Sequence, residues 1–509
     1  CDCLKFNCDS VTLPSTLTSI GHHAFYGMQT GLPAKLEIPA SVEEIGDYAF
    51  AFITSVSELV ITNPDTVYGE YAFYNNRLSK VTLPEGMKTI PTGFLGKTDI
   101  TELHLPESIT DIGEKAFESC TKLTSANFPS SLVTIGDGAF GSTNLSGYLA
   151  FPDTLEHIGD DAFNVVTGIT GFSWPANLKS VGSSAFSQCR ALSGHLVLPE
   201  NVTFGDYAFG SCESITGVTL PSDESLFEND VFNSCKGITS VTIPDTWTTI
   251  PKNIFWSCSN LLTCSLPDGL EVIGAGAFAY CSSLQDLTLP ETVRELGSGA
   301  FQGCASLRDI HLPDALETLG TSVFADCTSL RSINLVDKFE RIPGGTFENC
   351  TSLPSLLILP ETVKTLDYKA YLGSSVKSVR FLGDAPQVSI AGTSSSTFNE
   401  DCVLYYTPGK EGWTSPTWRG YSTYTILGEG SYEFHDTDYY SSLSLRNFDF
   451  LADIGPRAEQ PVSSVTLTYQ GASLSTQDGE TSISTGIMAQ AGTQISFTQP
   501  EMFDVSLPV

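Results

Sequence analysis

Nine cysteines stand on one grid: Cys120, then Cys189, Cys212, Cys235, Cys258, Cys281, Cys304, Cys327 and Cys350 at intervals of 23 residues, with Cys120 three intervals ahead. A thiol in such a place can attack an electrophile, pair into a disulfide, bind a soft metal or fill space. The spacing decides among these. A nucleophile is needed once per site, whereas the phenylalanine three residues ahead of each cysteine keeps the same beat from Phe117 through Phe140, Phe163 and Phe186 to Phe347. A fixed period of about 20–29 residues marks a repeat architecture. The cysteine column is therefore read as core, small side chains stacked turn upon turn. Disulfides between adjacent turns are conceivable at a rung spacing of ~4.8 Å. Pairing every rung would break the equivalence of neighbouring turns, however, and Thr143 and Val166 take the cysteine's place without disturbing the rhythm.

The other chemistry-bearing residues do not converge. The seven histidines are His22, His23, His104, His157, His195, His311 and His435. His104 and His311 hold equivalent positions nine turns apart, ~43 Å at the strand spacing, and cannot share a ligand. The sequence contains no H-E-x-x-H and no G-x-S-x-G or phosphate-cradling glycine loop in a convincing context. In HDTDYY, Asp436 and Asp438 lack the further oxygen ligands a calcium site needs. The expectation is no catalytic residue, no metal ligand set and no cofactor: the chain is not read as an enzyme.

Composition narrows the partners. Against 25 Lys and Arg stand 58 Asp and Glu, a formal net charge of −33. Phosphate backbones require a basic stripe, so nucleic acid is excluded, and anionic membrane surfaces are disfavoured. No apolar run is long enough to be a transmembrane segment. Cys1, Cys3 and Cys8 crowd into CDCLKFNC, off the grid, and are read as a disulfide cap or the end of a preceding small module; three is odd, so one partner lies elsewhere. A first residue Cys1 fits either an acylated lipoprotein or a cut boundary. Asn144, Asn201 and Asn349 sit in glycosylation sequons. Together these point to an extracellular or cell-surface location.

The elements that carry these residues repeat as well. Consecutive turns read AFAYCSSLQDLTLPETVRELGSG and AFQGCASLRDIHLPDALETLGTS. In the first, Leu284, Leu287 and Leu289 make a short strand that Pro290 ends. Val293 and Leu296 return a second edge to the core, Gly297 allows a bend, and Ala300 and Phe301 open a tight helical turn. Tyr371 and Phe398 stand at the next phenylalanine positions after Phe347.

The motif L-P-x-x-L-x-x-I-G-x-x-A-F-x-x-C, over roughly residues 11 to 428, resembles the BspA-like, or treponemal-type, leucine-rich repeats. The resemblance implies a leucine-rich-repeat solenoid with 23-residue repeats and one short parallel strand per turn, about 17 turns and ~80 Å long. A small all-β domain, sandwich-like or part of one, follows it. The expected divisions are 1–10, a Cys-rich cap or module end; 11–380, the repeats; 381–428, a closing cap; and 429–509, β-rich and carrying the alternating VSSVTLTYQG.

In such a solenoid the strand face binds. Its outward positions flank an inward leucine, and the candidates are Glu102 with His104, Asp286 with Thr288, Asp309 with His311, and Asn334. The ribbon of Ser, Thr, Asp and His is read either as a weak, extended contact surface or as a solvated face. The family resemblance implies adhesion to an extracellular protein or glycan ligand. The alternative is a structural subunit that joins copies of itself into a filament, sheath or surface layer.

Overall fold

Most L-x-L motifs sit in short parallel strands that bury the first apolar residue and expose its neighbours. In Ser240–Thr242 and Thr263–Ser265 the inward residues are Val241 and Cys264, and each residue lies opposite the one 23 positions further on. The computed structural model describes residues 10–333, 339–389, 396–407 and 409–427, with seven short strands between 431 and 506. It divides into two units, Cys1–Val293 and Arg294–Val509.

In the first unit a second ladder accompanies the expected strand. Thr89–Ile90, Asp111–Ile112, Thr134–Ile135, His157–Ile158, Ser180–Val181 and Thr203–Phe204 form a six-stranded parallel sheet of two-residue strands. Every one turns its apolar second residue inward. The glycine after this strand serves close approach between turns. A β-carbon on Gly136 would lie 2.8 Å from the Glu114 nitrogen, and on Gly205 2.5 Å from that of Ser183, while neither glycine has a left-handed φ.

The alanine–phenylalanine arc is not the helical turn its compactness suggests. Lys115, Phe117 and Ser119 donate to the carbonyls of Asp137, Ala139 and Gly141 in the next turn at 2.7, 2.8 and 2.7 Å. Lys115 (φ 53°) and Ser119 (φ 57°) are left-handed, as are Gly138 and Ser142, Asp161 and Val165, and Ser184 and Gln188. Two left-handed residues per arc stop a helix and turn alternate N–H groups up the stack, so the backbone bonds between turns. Among the described residues the only helix is a 3-10 turn at Glu224–Leu226.

Inside, the phenylalanines form a file. From Phe117 to Phe278 successive rings lie 5.2–5.9 Å apart and within 19° of parallel. The second unit has a file of its own, from Phe301 through Phe324 and Phe347 to Tyr371 and Phe398, the two positions anticipated for the last rungs. Tyr421 then closes it. Its ring meets Phe398 edge-on at 5.8 Å; its hydroxyl accepts the N–H groups of Thr397 (3.2 Å) and Phe398 (3.1 Å) and donates to the Phe398 carbonyl (3.1 Å). One phenol oxygen thus replaces the next turn's carbonyls. Tyr421→Phe is expected to leave two buried N–H groups orphaned and to cost about 1–3 kcal/mol; urea unfolding of the variant beside the parent measures it, and an unchanged midpoint would refute the role.

Parallel pairing in this unit also joins Leu356–Leu359, Ser378–Phe381, Val403–Tyr406 and Tyr421–Leu427. Trp413 packs over their end, its ring 4.8 Å from Phe381, 5.0 Å from Tyr406 and 5.1 Å from Trp418. Of residues 429–509 only short strands are described. Thr466–Tyr469, inside the alternating VSSVTLTYQG, makes an antiparallel hairpin with Ala472–Ser475, and Ser444–Asn447 pairs antiparallel with Phe503–Ser506. Cys1, Cys3, Cys8, Asn334 and His435 lie outside the described residues.

Candidate functional site

Most polar groups on the solenoid hold turns together. Asp47, Asp137, Asp160 and Asp206 each accept, through Oδ1, a backbone N–H of the following turn at 2.7–2.9 Å. Glu107 accepts both the N–H and the hydroxyl of Ser130, and Glu200 does the same with Ser222. These bonds favour the carboxylate and hold both glutamates below their ordinary pKa. The acidity of the chain is thus partly built into the inter-turn bonding.

The thiols are structural too. The grid cysteines are buried and unpaired as disulfides. Sγ of Cys189, Cys212, Cys235 and Cys258 donates to the carbonyl of the phenylalanine one turn back, at 3.3, 3.1, 3.1 and 3.3 Å. Cys281 does so to Phe255 at 3.2 Å. Burial pushes Cys120 up to about 11 and Cys189, Cys235 and Cys350 up to about 12, from an ordinary 9.0. A thiol so placed is a poor nucleophile at neutral pH.

The histidines scatter. His22 Nδ1 accepts the Asp47 amide at 3.0 Å, His23 stacks on Tyr48, and His157 Nδ1 lies 2.9 Å from Ser180 Oγ. Among the described residues no three His, Cys, Asp or Glu side chains group as metal ligands.

What remains is the strand face. Glu102 and His104 are exposed on either side of buried Leu103, with His104 Nε2 3.4 Å from Glu102 Oε2. Asp286 and Thr288 flank buried Leu287 in the same way, eight turns further on in the first unit. In the second unit Asp309 and His311 flank Ile310, and Arg331 holds Asp309 at 3.0 Å, an ion pair the residue spacing did not reveal. Each pair flanks a buried residue, but the pairs form no single centre. Of the sequon residues, Asn144 donates to the Thr121 carbonyl at 2.6 Å and Asn349 to Asp326 Oδ1 at 2.8 Å, while Asn201 is exposed.

The face also carries side chains that motif reading passed over. Two strands, Ser146–Leu149 and Gly194–Val197, shift register by one residue against the next turn, which skips Thr170 in one pair and Thr216 in the other, and the shifts fall beside left-handed Gly147 (φ 81°) and Gly194 (φ 87°). The residue after each shift, Tyr148 or His195, is exposed. Tyr148 is 63% exposed and Val197 57%. The signal was the glycine itself, which stretches the spacing between inward residues from three to four: Leu145 to Leu149 and Leu192 to Leu196. A second outward group of aromatics lies on the arc near the start of the chain, where Tyr48 and Tyr71 stack at 5.1 Å and Lys97 sits over Tyr74.

With this geometry, the repeat signature described as BspA type leucine-rich repeat region, in six copies, matches residues 3–96, 88–212, 194–304 and 271–395. The chain belongs to that family. Among solved structures, a leucine-rich repeat protein from Bacteroides ovatus is 25% identical over 62% of this chain and 82% of its own, with a TM-score of 0.50. A leucine-rich repeat protein from Eubacterium ventriosum is 19% identical over 67% and 83%, TM-score 0.38. A leucine-rich cell surface protein from Faecalibacterium prausnitzii is 18% identical over 75% and 89%, TM-score 0.33. No curated protein matches the chain. BspA-type repeats are, in general, binding scaffolds, and no helix among the described residues of this one is long and apolar enough to cross a membrane.

Proposed function

We propose that the chain is a non-enzymatic binding or adhesion protein, secreted or displayed at a cell surface, that presents its strand face to an extracellular protein or glycan. The observation that supports this is a division of labour. Carboxylates after the turn glycines and prolines, and the thiols of the arc, are spent on bonds between turns, whereas Glu102, Tyr148, His195, Val197, Asp286 and Thr288 stand exposed on the strand face. Exposed aromatic and polar side chains on a rigid, regular sheet are what an extended contact surface requires.

The full chain is expected to run as a monomer in dilute buffer and to be retained on an array of matrix proteins and glycans. A concentration-dependent filament or sheath, with nothing retained, would replace this reading with that of a self-assembling structural subunit.

A further inference from the structure

The two register shifts of the first unit repeat one device. At each, an exposed ring stands just after a left-handed glycine or the shift beside it, and its register partner in the next turn is also glycine: Tyr148 is opposite Gly171, and His195 is opposite Gly217. A β-carbon on Gly171 would meet Tyr148 Cδ2 at 3.3 Å and Cε2 at 3.4 Å, and one on Gly217 would meet His195 Nδ1 at 2.7 Å. The second glycine therefore leaves space into which the ring lies down along the sheet. His195 is further fixed by Thr219 Oγ1, 2.7 Å from Nε2. Beside it Trp174 Nε1 donates to the Val197 carbonyl at 2.7 Å, steadying the strand that exposes Val197. Solvation alone would not call for a left-handed glycine and a glycine bed at the same two turns.

The chemistry of the patch restricts what it suits. In a chain with 58 acidic residues, the strands 146–149, 168–172, 194–197 and 215–219 contain no Asp, Glu, Lys or Arg. A cationic partner finds no carboxylate there, and a polyanion is repelled by the whole chain. An apolar helix would need a groove, and this surface is one exposed phenol, one imidazole and one valine among threonines. A ring lying along the surface and held at its edge offers a face to the C–H groups of a pyranose. The imidazole, two turns on and ~9.6 Å away at the strand spacing, and Thr219 one turn beyond it supply hydrogen bonds to hydroxyls. We propose that these four turns form a binding site for a neutral oligosaccharide, with Tyr148 as the stacking platform and His195 as its polar end. The proposal rests on the reading of the strand face as the contact surface and gives its ligand class.

The test uses the full chain with cello-, chito-, malto- and mannotetraose and, as the charged comparison, a heparin tetrasaccharide, followed by calorimetry and saturation-transfer NMR. At least one neutral tetrasaccharide should bind. Tyr148→Ala should weaken it about tenfold or more, and Tyr148→Trp should retain it. Gly171→Ala keeps the phenol but fills its bed, and should weaken binding several-fold with unchanged melting, which a general loss of structure would not do. Binding of the parent to none of the neutral sugars, preference for the heparin fragment, or equal binding by Tyr148→Ala would each overturn the site. If Tyr148→Ala loses no partner on the matrix and glycan array, the adhesion reading stands and only this site falls; if the parent captures nothing there, the adhesion reading itself fails.

Discussion

Phe209→Ala should lower the stability of the first unit by about 3–5 kcal/mol, the cost of a phenylalanine-sized cavity in a core that cannot close around it. Phe209 is fully buried between Phe186 and Phe232, each 5.7 Å away, with Trp174 edge-on at 6.2 Å. Its backbone is pinned as well: its N–H donates to the Val231 carbonyl at 3.0 Å, and its own carbonyl accepts the Cys212 N–H at 3.2 Å and the Cys235 thiol at 3.1 Å. With both ends of the arc tied to neighbouring turns, collapse into the void would break inter-turn bonds, so the cavity persists and the upper part of the range applies. Phe209→Leu, which keeps most of the volume, should cost appreciably less. Urea unfolding followed through the fluorescence of buried Trp247, whose indole donates to the Pro221 carbonyl at 2.9 Å, reads both variants. Equal midpoints for Phe209→Ala and the parent would mean that the file does not carry the core.

The repeat was legible because a solenoid writes its geometry into the chain once per turn. Phe117 to Phe347 give the rung, and Tyr371 and Phe398 could be placed beyond it because an aromatic of similar size is all a rung demands. The second ladder was half visible: isoleucine before glycine marks the inward residue, but a two-residue strand has no alternation to betray it. The left-handed arc left a fainter mark. Gly138, Gly276, Gly299 and Gly345 stand in one of its columns and Gly303 and Gly373 in the other, yet Lys115, Ser119 and Val165 occupy the same columns and hide the pattern. At these positions inter-turn bonding overrides the intrinsic preference of a single residue.

The candidate site was less legible because its residues depart from the repeat. A motif aligned on L-x-x-L-x-L finds Glu102, Asp286 and Asp309 and slides past Tyr148 and His195, whose turns hold an extra residue in the strand. Each such turn stays at 23 residues by giving one back elsewhere: before Leu145 in one, and between Pro199 and Phe209 in the other. Conserving the total length while shifting it within the turn keeps the phenylalanine file in step and lets the strand face vary. Charge misled in the opposite sense. Acidic side chains were the natural candidates for contact, but Asp137, Asp160, Glu107 and Glu200 are occupied by backbone and hydroxyl donors, and Asp309 by Arg331.

The thiol column carries the largest pH effect. Cys189, Cys212, Cys235 and Cys258 each donate a proton to a carbonyl, so ionisation both places a charge in the core and turns the donor into an acceptor facing another acceptor. Burial therefore raises Cys189 and Cys235 to about 12, and Cys212 and Cys258 well above 9.0. A group whose folded pKa lies above its unfolded one contributes stability that is complete below the unfolded value, here about 9, and is lost as pH rises toward the folded value. At pH 10.5 each such thiol removes about 2 kcal/mol at 1.36 kcal/mol per unit. Four stand on consecutive turns in the first unit, from Cys189 to Cys258, so the loss approaches the whole stability of an ordinary domain. The first unit should accordingly resist iodoacetamide at pH 8 and unfold cooperatively between about pH 10 and 11, these four thiols becoming reactive together. Threonine already serves in this column, where Thr143 Oγ1 donates to the Phe140 carbonyl at 2.8 Å, and its hydroxyl does not ionise in this range. Cys235→Thr with Cys258→Thr should therefore move the alkaline midpoint upward while leaving acid unfolding where it was. Alkylation of the parent at pH 8 without unfolding, or an alkaline midpoint indifferent to both substitutions, would show that the thiols are not held as these bonds require.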